Sequence, residues 1–234
     1  NICRCTGYKS IERAAGRIAG KLAERGEKDV IPFAVEQGFL PAYFLTIQNR
    51  LEQLNQPAQG ISGTTGITRK FLGGGTDLYV QQHDTMHHEE IDFLFDKSEL
   101  QGVYQEGNRC YIGAAATVTD LAESSVMNTH FPRMQDVVKL VSSTPIRNMA
   151  TIAGNLVNAS PIGDFTIFLL ALDAQLILRE GEQTREMPLN KFYKGYKKLA
   201  KSHDEIIEKI WFELPDTNTR FNFEKICKRT HLDI

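Results

Sequence analysis

Residues 147–164 of the chain read RNMATIAGNLVNASPIGD, and this stretch says most about the fold. Gly154, Asn155, Asn158, Ser160 and Asp164 stand close together in it, with apolar runs on both sides. Polar groups at this density between core segments cost free energy unless they bond to each other, to water or to a ligand. We therefore predict a polar loop that either binds a ligand or forms an internally hydrogen-bonded turn rich in Asn and Asp.

A glycine-rich loop precedes this stretch. Gly73, Gly74 and Gly75 lie between KFL (70–72), which reads as a strand, and TDLYVQQ (76–82), which reads as a helix. Backbone N–H groups of residues without Cβ can approach an anion closely, and the start of a helix adds a favourable dipole. The spacing is neither a Walker A nor a Rossmann motif, so a tight strand-to-helix turn is the alternative. Two such loops on separate lobes predict a crevice for a long, phosphate-bearing cofactor.

The order of the other segments indicates an α+β chain. Apolar residues at helical spacing predict one helix near the N-terminus, with Gly26 as its stop: Ile11, Ala14, Ala15, Ile18, Ala19 and Leu22. A mixed stretch that ends near Ser62 reads as a connector. Further strands are predicted at 91–95, 109–115, 208–215 and 220–229, and helices at 118–127 and 134–141. Because helices and strands do not alternate regularly, two mixed lobes fit better than a doubly wound parallel sheet.

Composition excludes several classes of protein. The net charge of −2 over 234 residues gives no basic field for nucleic acid or an anionic membrane surface. The longest apolar stretch, from Ile167, is shorter than the ~20 residues of a membrane span. Four scattered cysteines do not form a disulfide framework, which favours a reducing, cytoplasmic location.

Cys3 and Cys5 form a C-x-C pair, which is typical of metal or iron–sulfur ligation through thiolates. A two-iron cluster needs four ligands, and a zinc site would need two more Cys or His. Cys110 and Cys227 lie in strand-like segments that read as core, and His87 and His88 lie in a polar loop. The remaining ligands are therefore not evident from the residues.

Four segments resemble signatures of the molybdenum hydroxylases, in that family's order: CRCTGY (3–8), GGGTDLYVQ (73–81), residues 147–164, and KICKRTHLDI (225–234). The arrangement is most similar to the small iron–sulfur and FAD subunit of the bacterial xanthine dehydrogenase type. This resemblance implies the end of a helical two-iron cluster domain at 1–28, a connector at 29–62, and an FAD-binding domain at 63–234. The latter would be of the vanillyl-alcohol oxidase and para-cresol methylhydroxylase type, with two α+β subdomains.

The same resemblance implies the cofactor-binding residues. The FAD pyrophosphate would lie against the first loop, made of Phe71, Leu72, Gly73, Gly74, Gly75, Thr76, Asp77 and Leu78. A second wall would consist of Thr151, Ile152, Ala153, Gly154 and Asn155. Asn158 would lie near the flavin or its ribityl chain, Asp164 would accept a bond from the ribityl hydroxyls, and Lys225 would approach the flavin ring. Val141 and Ile207 would be apolar neighbours of the flavin.

Cys3 and Cys5 would be two ligands of a two-iron two-sulfur cluster, with the other two in a C-x-x-C that the family carries upstream. The family also continues into a further C-terminal α+β domain, so the resemblance implies that this chain is a fragment. It provides no catalytic residue that would touch the substrate.

For function, the resemblance implies electron transfer within a hetero-oligomer. A molybdenum cofactor on a large partner subunit would hydroxylate a purine, and the electrons would pass through iron–sulfur clusters to FAD and on to NAD. The alternatives are a related enzyme that oxidises aldehydes or aromatic acids, and a non-catalytic assembly module that has lost its cofactor.

Overall fold

The chain divides into two units, Asn1–Thr65 and Gly66–Ile234. The structure is a computed structural model, and it describes residues 8–54 and 69–226. The Cys3 and Cys5 pair, the boundary near Ser62 and the segment from Cys227 onwards lie outside the described residues. The division into residues 1–28, 29–62 and 63–234 therefore stays a prediction.

The first unit is helical in its described part. It contains α1 (Tyr8–Ala23), α2 (Val30–Glu36), a 3₁₀ turn (Ala42–Thr46) and α3 (Ile47–Leu54). The prediction of α1 is confirmed, and Gly26 has a φ of +63°, as expected where the chain leaves a helix. Much of the stretch interpreted as a connector is thus helical.

The second unit alternates short strands and short helices. Its described strands are β1 (Arg69–Leu72), β2 (Glu90–Phe93), β3 (Val103–Glu106), β4 (Arg109–Gly113), β5 (Gln175–Glu180), β6 (Gln183–Pro188), β7 (Tyr193–Gly195), β8 (Lys198–Leu199) and β9 (Ile206–Glu213). Its described helices are α4 (Leu78–Gln81), α5 (His83–Met86), α6 (Val118–Glu123), α7 (Ser125–His130), α8 (Met134–Lys139), α9 (Thr144–Arg147), α10 (Ile152–Asn158) and α11 (Asp164–Ala171).

These strands form a small parallel sheet, a larger antiparallel sheet and a short antiparallel hairpin of β7 and β8. β1 pairs with β2 in parallel, and the chain between them carries the glycine loop, α4 and α5. The larger sheet has the order β3-β4-β9-β5-β6, and every neighbouring pair in it is antiparallel. This confirms the mixed α+β architecture, with the glycine loop on one lobe and the antiparallel sheet in the other.

The core lies between one face of the larger sheet and the helices that follow β4. Ile112 on β4, Leu176 on β5 and Ile210 on β9 are fully buried, as are Leu156 on α10 and Leu169 on α11. Burying such a side chain stabilises the fold by about 1.5–3 kcal/mol. β9, which overlaps the strand predicted at 208–215, is the central strand and holds β4 and β5 together.

The strand predicted over residues 220–229 is wrong as far as the structure describes it, because residues 220–226 belong to no strand. The Phe221 ring packs edge-on against Phe131 and Phe168, at centroid distances of 5.2 and 5.0 Å. The tail is held by aromatic packing on the core.

Candidate functional site

The stretch predicted as the second polar loop contains a seven-residue helix, α10, so the loop prediction is wrong over Ile152–Asn158. Thr151 caps the helix, since its hydroxyl oxygen accepts a hydrogen bond from the Gly154 amide at 3.1 Å. One face of α10 is buried in the core through Ile152, Ala153 and Leu156. The helix ends at its C-cap, Ala159, whose φ of +51° lies in the left-handed region. The sequence contained a signal for this helix. Thr151 is a good capping residue, and the apolar residues Ala153 and Leu156 follow Ile152 at one and four positions.

The glycine loop packs directly on the residues before α10. A Cβ on Gly73 would lie 2.6 Å from Thr151 Oγ1, and one on Gly74 would lie 1.5 Å from the Met149 carbonyl oxygen. Gly75 has a φ of +74°, which side chains other than glycine rarely tolerate. Close packing therefore accounts for these glycines by itself. The helix after the loop, α4, has only four residues, so the helix dipole invoked from the sequence is small.

Two adjoining cavities lie between these segments, with volumes of about 300 and 260 Å³. They share a lining of Phe71, Gly73, Leu78, Thr151, Gly154 and Val157. The first cavity continues along Gly74–Asp77 to Asn155 and Asn158, and the second continues to Ala153 and Ile207. The structure thus brings most of the predicted site residues to one elongated crevice.

The first cavity contains polar groups without partners. The backbone amides of Gly74, Gly75 and Thr76 have no hydrogen-bond acceptor within the described ranges. The side-chain oxygen of Asn155 is buried and likewise has no partner in the part of the chain that the structure describes. Since a buried polar atom is normally satisfied, the Asn155 oxygen together with the three amides fits a ligand with several acceptor oxygens and at least one hydroxyl. An FAD diphosphate and ribityl chain have these groups, so the residues present fit that cofactor.

Asp164 and Lys225 contact each other. Lys225 Nζ lies 2.8 Å from Asp164 Oδ2 and also donates to the Leu140 carbonyl oxygen at 2.9 Å. Val141, the next residue, is partly buried against the core. Asp164, Lys225 and Val141 do not line either of the two cavities.

Leu72 and Ile152, at 3% and 0% exposure, support the crevice from the core.

Cys110 is a buried core residue, as predicted, and burial raises the pKa of its thiol to about 12. In the described residues no group of three or more His, Cys, Asp and Glu side chains is arranged to hold a metal ion.

Sequence reasoning missed the far walls of both cavities. Lys197 lines the first cavity, and Lys201, His203 and Glu205 line the second. Arg185 and the Ser202 amide hold the pKa of Glu205 below its usual range, against the opposing effect of burial. Burial lowers the pKa of Lys201. The lysine-rich stretch KFYKGYKKLAK (191–201) was the available signal.

Comparison with known proteins assigns the family. Residues 51–216 match the family model described as the FAD binding domain in molybdopterin dehydrogenase, which is more than two thirds of the chain. The chain belongs to this FAD-binding family. The predicted fold class is confirmed with it.

Individual relatives agree with this assignment. The FAD subunit of nicotinate dehydrogenase from Eubacterium barkeri is 32% identical over 168 residues, which cover 70% of this chain and 57% of that subunit. The xanthine dehydrogenase FAD-binding subunit of Escherichia coli O157:H7 is 33% identical over 148 residues, 61% of this chain and 50% of the subunit. The chain therefore spans about half the length of these relatives.

A solved structure shows the same fold. Reconstituted CO dehydrogenase from Oligotropha carboxidovorans matches with a TM-score of 0.64 and 25% identity, over 70% of this chain and 58% of that one. Within the described residues, none of the helices of this member of the FAD-binding family has the length and apolar character needed to cross a bilayer.

Proposed function

We propose that this chain binds FAD in the crevice between the glycine loop and α10 and acts as the electron-transfer flavoprotein component of a molybdenum hydroxylase. The observation that carries the proposal is the lining of the first cavity in a member of an FAD-binding family. Three lining residues have backbone amides, and a fourth has a buried asparagine oxygen, that find no partner among the described residues. When bound, FAD would supply the redox centre that accepts electrons and passes them on.

The roles of the first cavity's residues follow from what each can offer. The amides of Gly74, Gly75 and Thr76 would donate to the diphosphate, because no acceptor in the described part of the chain competes for them. The Asn155 side-chain oxygen would accept from a hydroxyl of the cofactor. Asn158 is held in place by Gln81, whose side-chain nitrogen lies 3.4 Å from the asparagine oxygen.

The other predicted residues would act around the rim of the bound cofactor. Ala153 and Ile207 would exclude water from the second cavity, since both are buried and line it. The Asp164 and Lys225 pair would place a carboxylate and an ammonium beside the flavin, with Val141 as an apolar neighbour. Cys3 and Cys5 would be two of the four ligands of a two-iron two-sulfur cluster.

We propose that the complete enzyme is a hetero-oligomer with a large subunit that holds the molybdenum cofactor. Its substrate would be a purine such as xanthine or hypoxanthine, with NAD as electron acceptor. An aromatic acid is the second candidate, favoured by the similarity to a nicotinate dehydrogenase subunit. Purines and nicotinate are both electron-poor nitrogen heterocycles. Assays of the complete enzyme with xanthine and with nicotinate would separate them.

FAD binding is tested first. We expect the purified protein to show flavin absorbance that heat releases as FAD, or to take up added FAD with quenching of its fluorescence. Asn155→Ala should raise the FAD dissociation constant about tenfold. The substitution removes the acceptor of one hydrogen bond from a hydroxyl of the bound cofactor. Asn190→Ala, at an exposed position outside the crevice, is the control. A colourless protein that fails to take up FAD would favour the non-catalytic assembly module.

A further inference from the structure

A lysine-rich hairpin forms one side of the first cavity. β7 and β8 pair through Tyr193 with Leu199 and through Gly195 with Lys198, so Tyr196 and Lys197 are the tip. The sequence around this tip carries five lysines within eleven residues: Lys191, Lys194, Lys197, Lys198 and Lys201. Such a density of like charge is unfavourable unless an anion or solvent compensates it.

The base of the hairpin is fixed to the wall of the crevice. Phe192 is fully buried, and its carbonyl oxygen accepts a hydrogen bond from the Ala200 amide at 2.7 Å. The Tyr193 hydroxyl donates to the Leu156 carbonyl of α10 at 3.1 Å. The tip is therefore held at a defined place relative to α10.

Lys197 is the residue that the tip presents to the cavity. It lines the first cavity together with Gly74–Asp77, whereas Lys194 and Lys198 line neither cavity. Its φ of +52° is in the left-handed region, which costs a lysine about 1 kcal/mol. Residues kept in such a conformation are enriched at ligand-binding sites.

Lys197 also differs from the other lysines of the crevice in having no partner among the residues that the structure describes. Lys70 forms an ion pair with Glu89, and Lys201 donates to the Ser202 carbonyl at 2.7 Å beside Glu205. In the described ranges Lys197 has no ion pair or side-chain hydrogen bond, not even with Asp77, which lines the same cavity. Its charge is thus free to meet an anion.

We propose that the Lys197 ammonium binds the diphosphate of the dinucleotide cofactor from the side opposite the glycine loop. The inference rests on the proposed FAD-binding function and adds a residue to it. Neutral amides can donate to phosphate oxygens, but two negative charges entering a partly enclosed cavity call for a cation. Lysine supplies this as a point charge with three donors, which does not need the planar geometry of arginine.

The test compares Lys197→Met with Lys194→Met, a matched substitution on the same hairpin outside both cavities. FAD dissociation constants are measured by fluorescence titration at low and high NaCl, after thermal melts establish that both variants fold. We expect Lys197→Met to weaken FAD binding about fivefold to tenfold at low salt and to reduce the effect of salt, because salt screens an exposed ion pair. Lys197→Arg should retain most of the affinity, and Lys194→Met should match the wild type.

Equal affinities and equal salt dependence for Lys197→Met and Lys194→Met, with FAD still bound, would overturn the role of Lys197 and leave the proposed function standing. A wild-type protein that takes up no FAD at either salt concentration would overturn both.

Discussion

The Lys225 ammonium lies 2.8 Å from the carboxylate of Asp164, 61 positions earlier in the chain. A second bond, to the Leu140 carbonyl oxygen, ties the same ammonium to the end of α8. The pair thus joins the irregular tail to the first residue of α11. The sequence implied separate flavin contacts for the two side chains, whereas in the structure each also orients the other.

Replacing Lys225 with Met should lower the free energy of unfolding by about 1–3 kcal/mol, because the substitution leaves a mostly buried carboxylate without its partner. Asp164→Asn should also destabilise. The double variant should lose less than the sum of the two single losses, since the pair is broken only once. Urea denaturation measures all four proteins, and strictly additive losses would show that the two side chains are not coupled.

Gly74→Ala should be severely destabilising, by roughly 3 kcal/mol or more, or should yield insoluble protein. The added Cβ would lie 1.5 Å from the Met149 carbonyl oxygen, so one of the two backbone segments must move. Gly20→Ala is the control, since Gly20 lies in α1 and a Cβ there would meet no described atom within 4 Å apart from adjacent residues and the helix's own backbone. The control should be neutral or stabilising by up to about 1 kcal/mol. A folded Gly74→Ala protein with an unchanged melting temperature would contradict the close approach.

The Cys110 thiol should resist alkylation in the folded protein at pH 9. Burial raises its pKa to about 12, so the reactive thiolate is scarce at that pH, and the side chain is inaccessible. Mass spectrometry of peptides after iodoacetamide treatment should find Cys110 unmodified in buffer and modified in urea. Equal labelling under the two conditions would rule out the buried position.

Glu205→Gln should destabilise the protein in a pH-dependent way. Arg185 contacts the Glu205 carboxylate through two nitrogens, one at 2.8 Å, and this hydrogen bonding is the main cause of the lowered pKa of Glu205. Because the pKa of Glu205 is lower in the folded protein, its carboxylate contributes its full stabilisation at pH values above the ordinary pKa of 4.5. That stabilisation is lost as the pH falls through the pKa of the folded state. We expect the variant to be about 1–3 kcal/mol less stable at pH 7.

The difference between wild type and Glu205→Gln should then shrink as the pH is lowered below 4.5. Glu182→Gln, at an exposed position, should follow the wild type throughout. Chemical denaturation at several pH values measures the three curves. A difference that stays constant down to low pH would mean that the charge of Glu205 does not contribute.

Local patterns in the sequence were sufficient for the fold class. The segment EKIWFELP predicted the strand that became β9, and Ile11, Ile18 and Leu22 predicted α1. Three adjacent glycines marked the segment that packs on Thr151. These features could be predicted because periodicity and glycine content reflect conformational preferences within a few residues.

Only the tertiary structure decided how distant segments meet. Thr151 caps a helix where polar residues suggested a loop, and Gly74 is glycine because the Met149 carbonyl lies against it. Lys197 belongs to the first cavity because Phe192 and Tyr193 anchor its hairpin beside α10. Contacts between residues tens of positions apart depend on the packing of the whole core, and a single sequence contains no local signal for that packing.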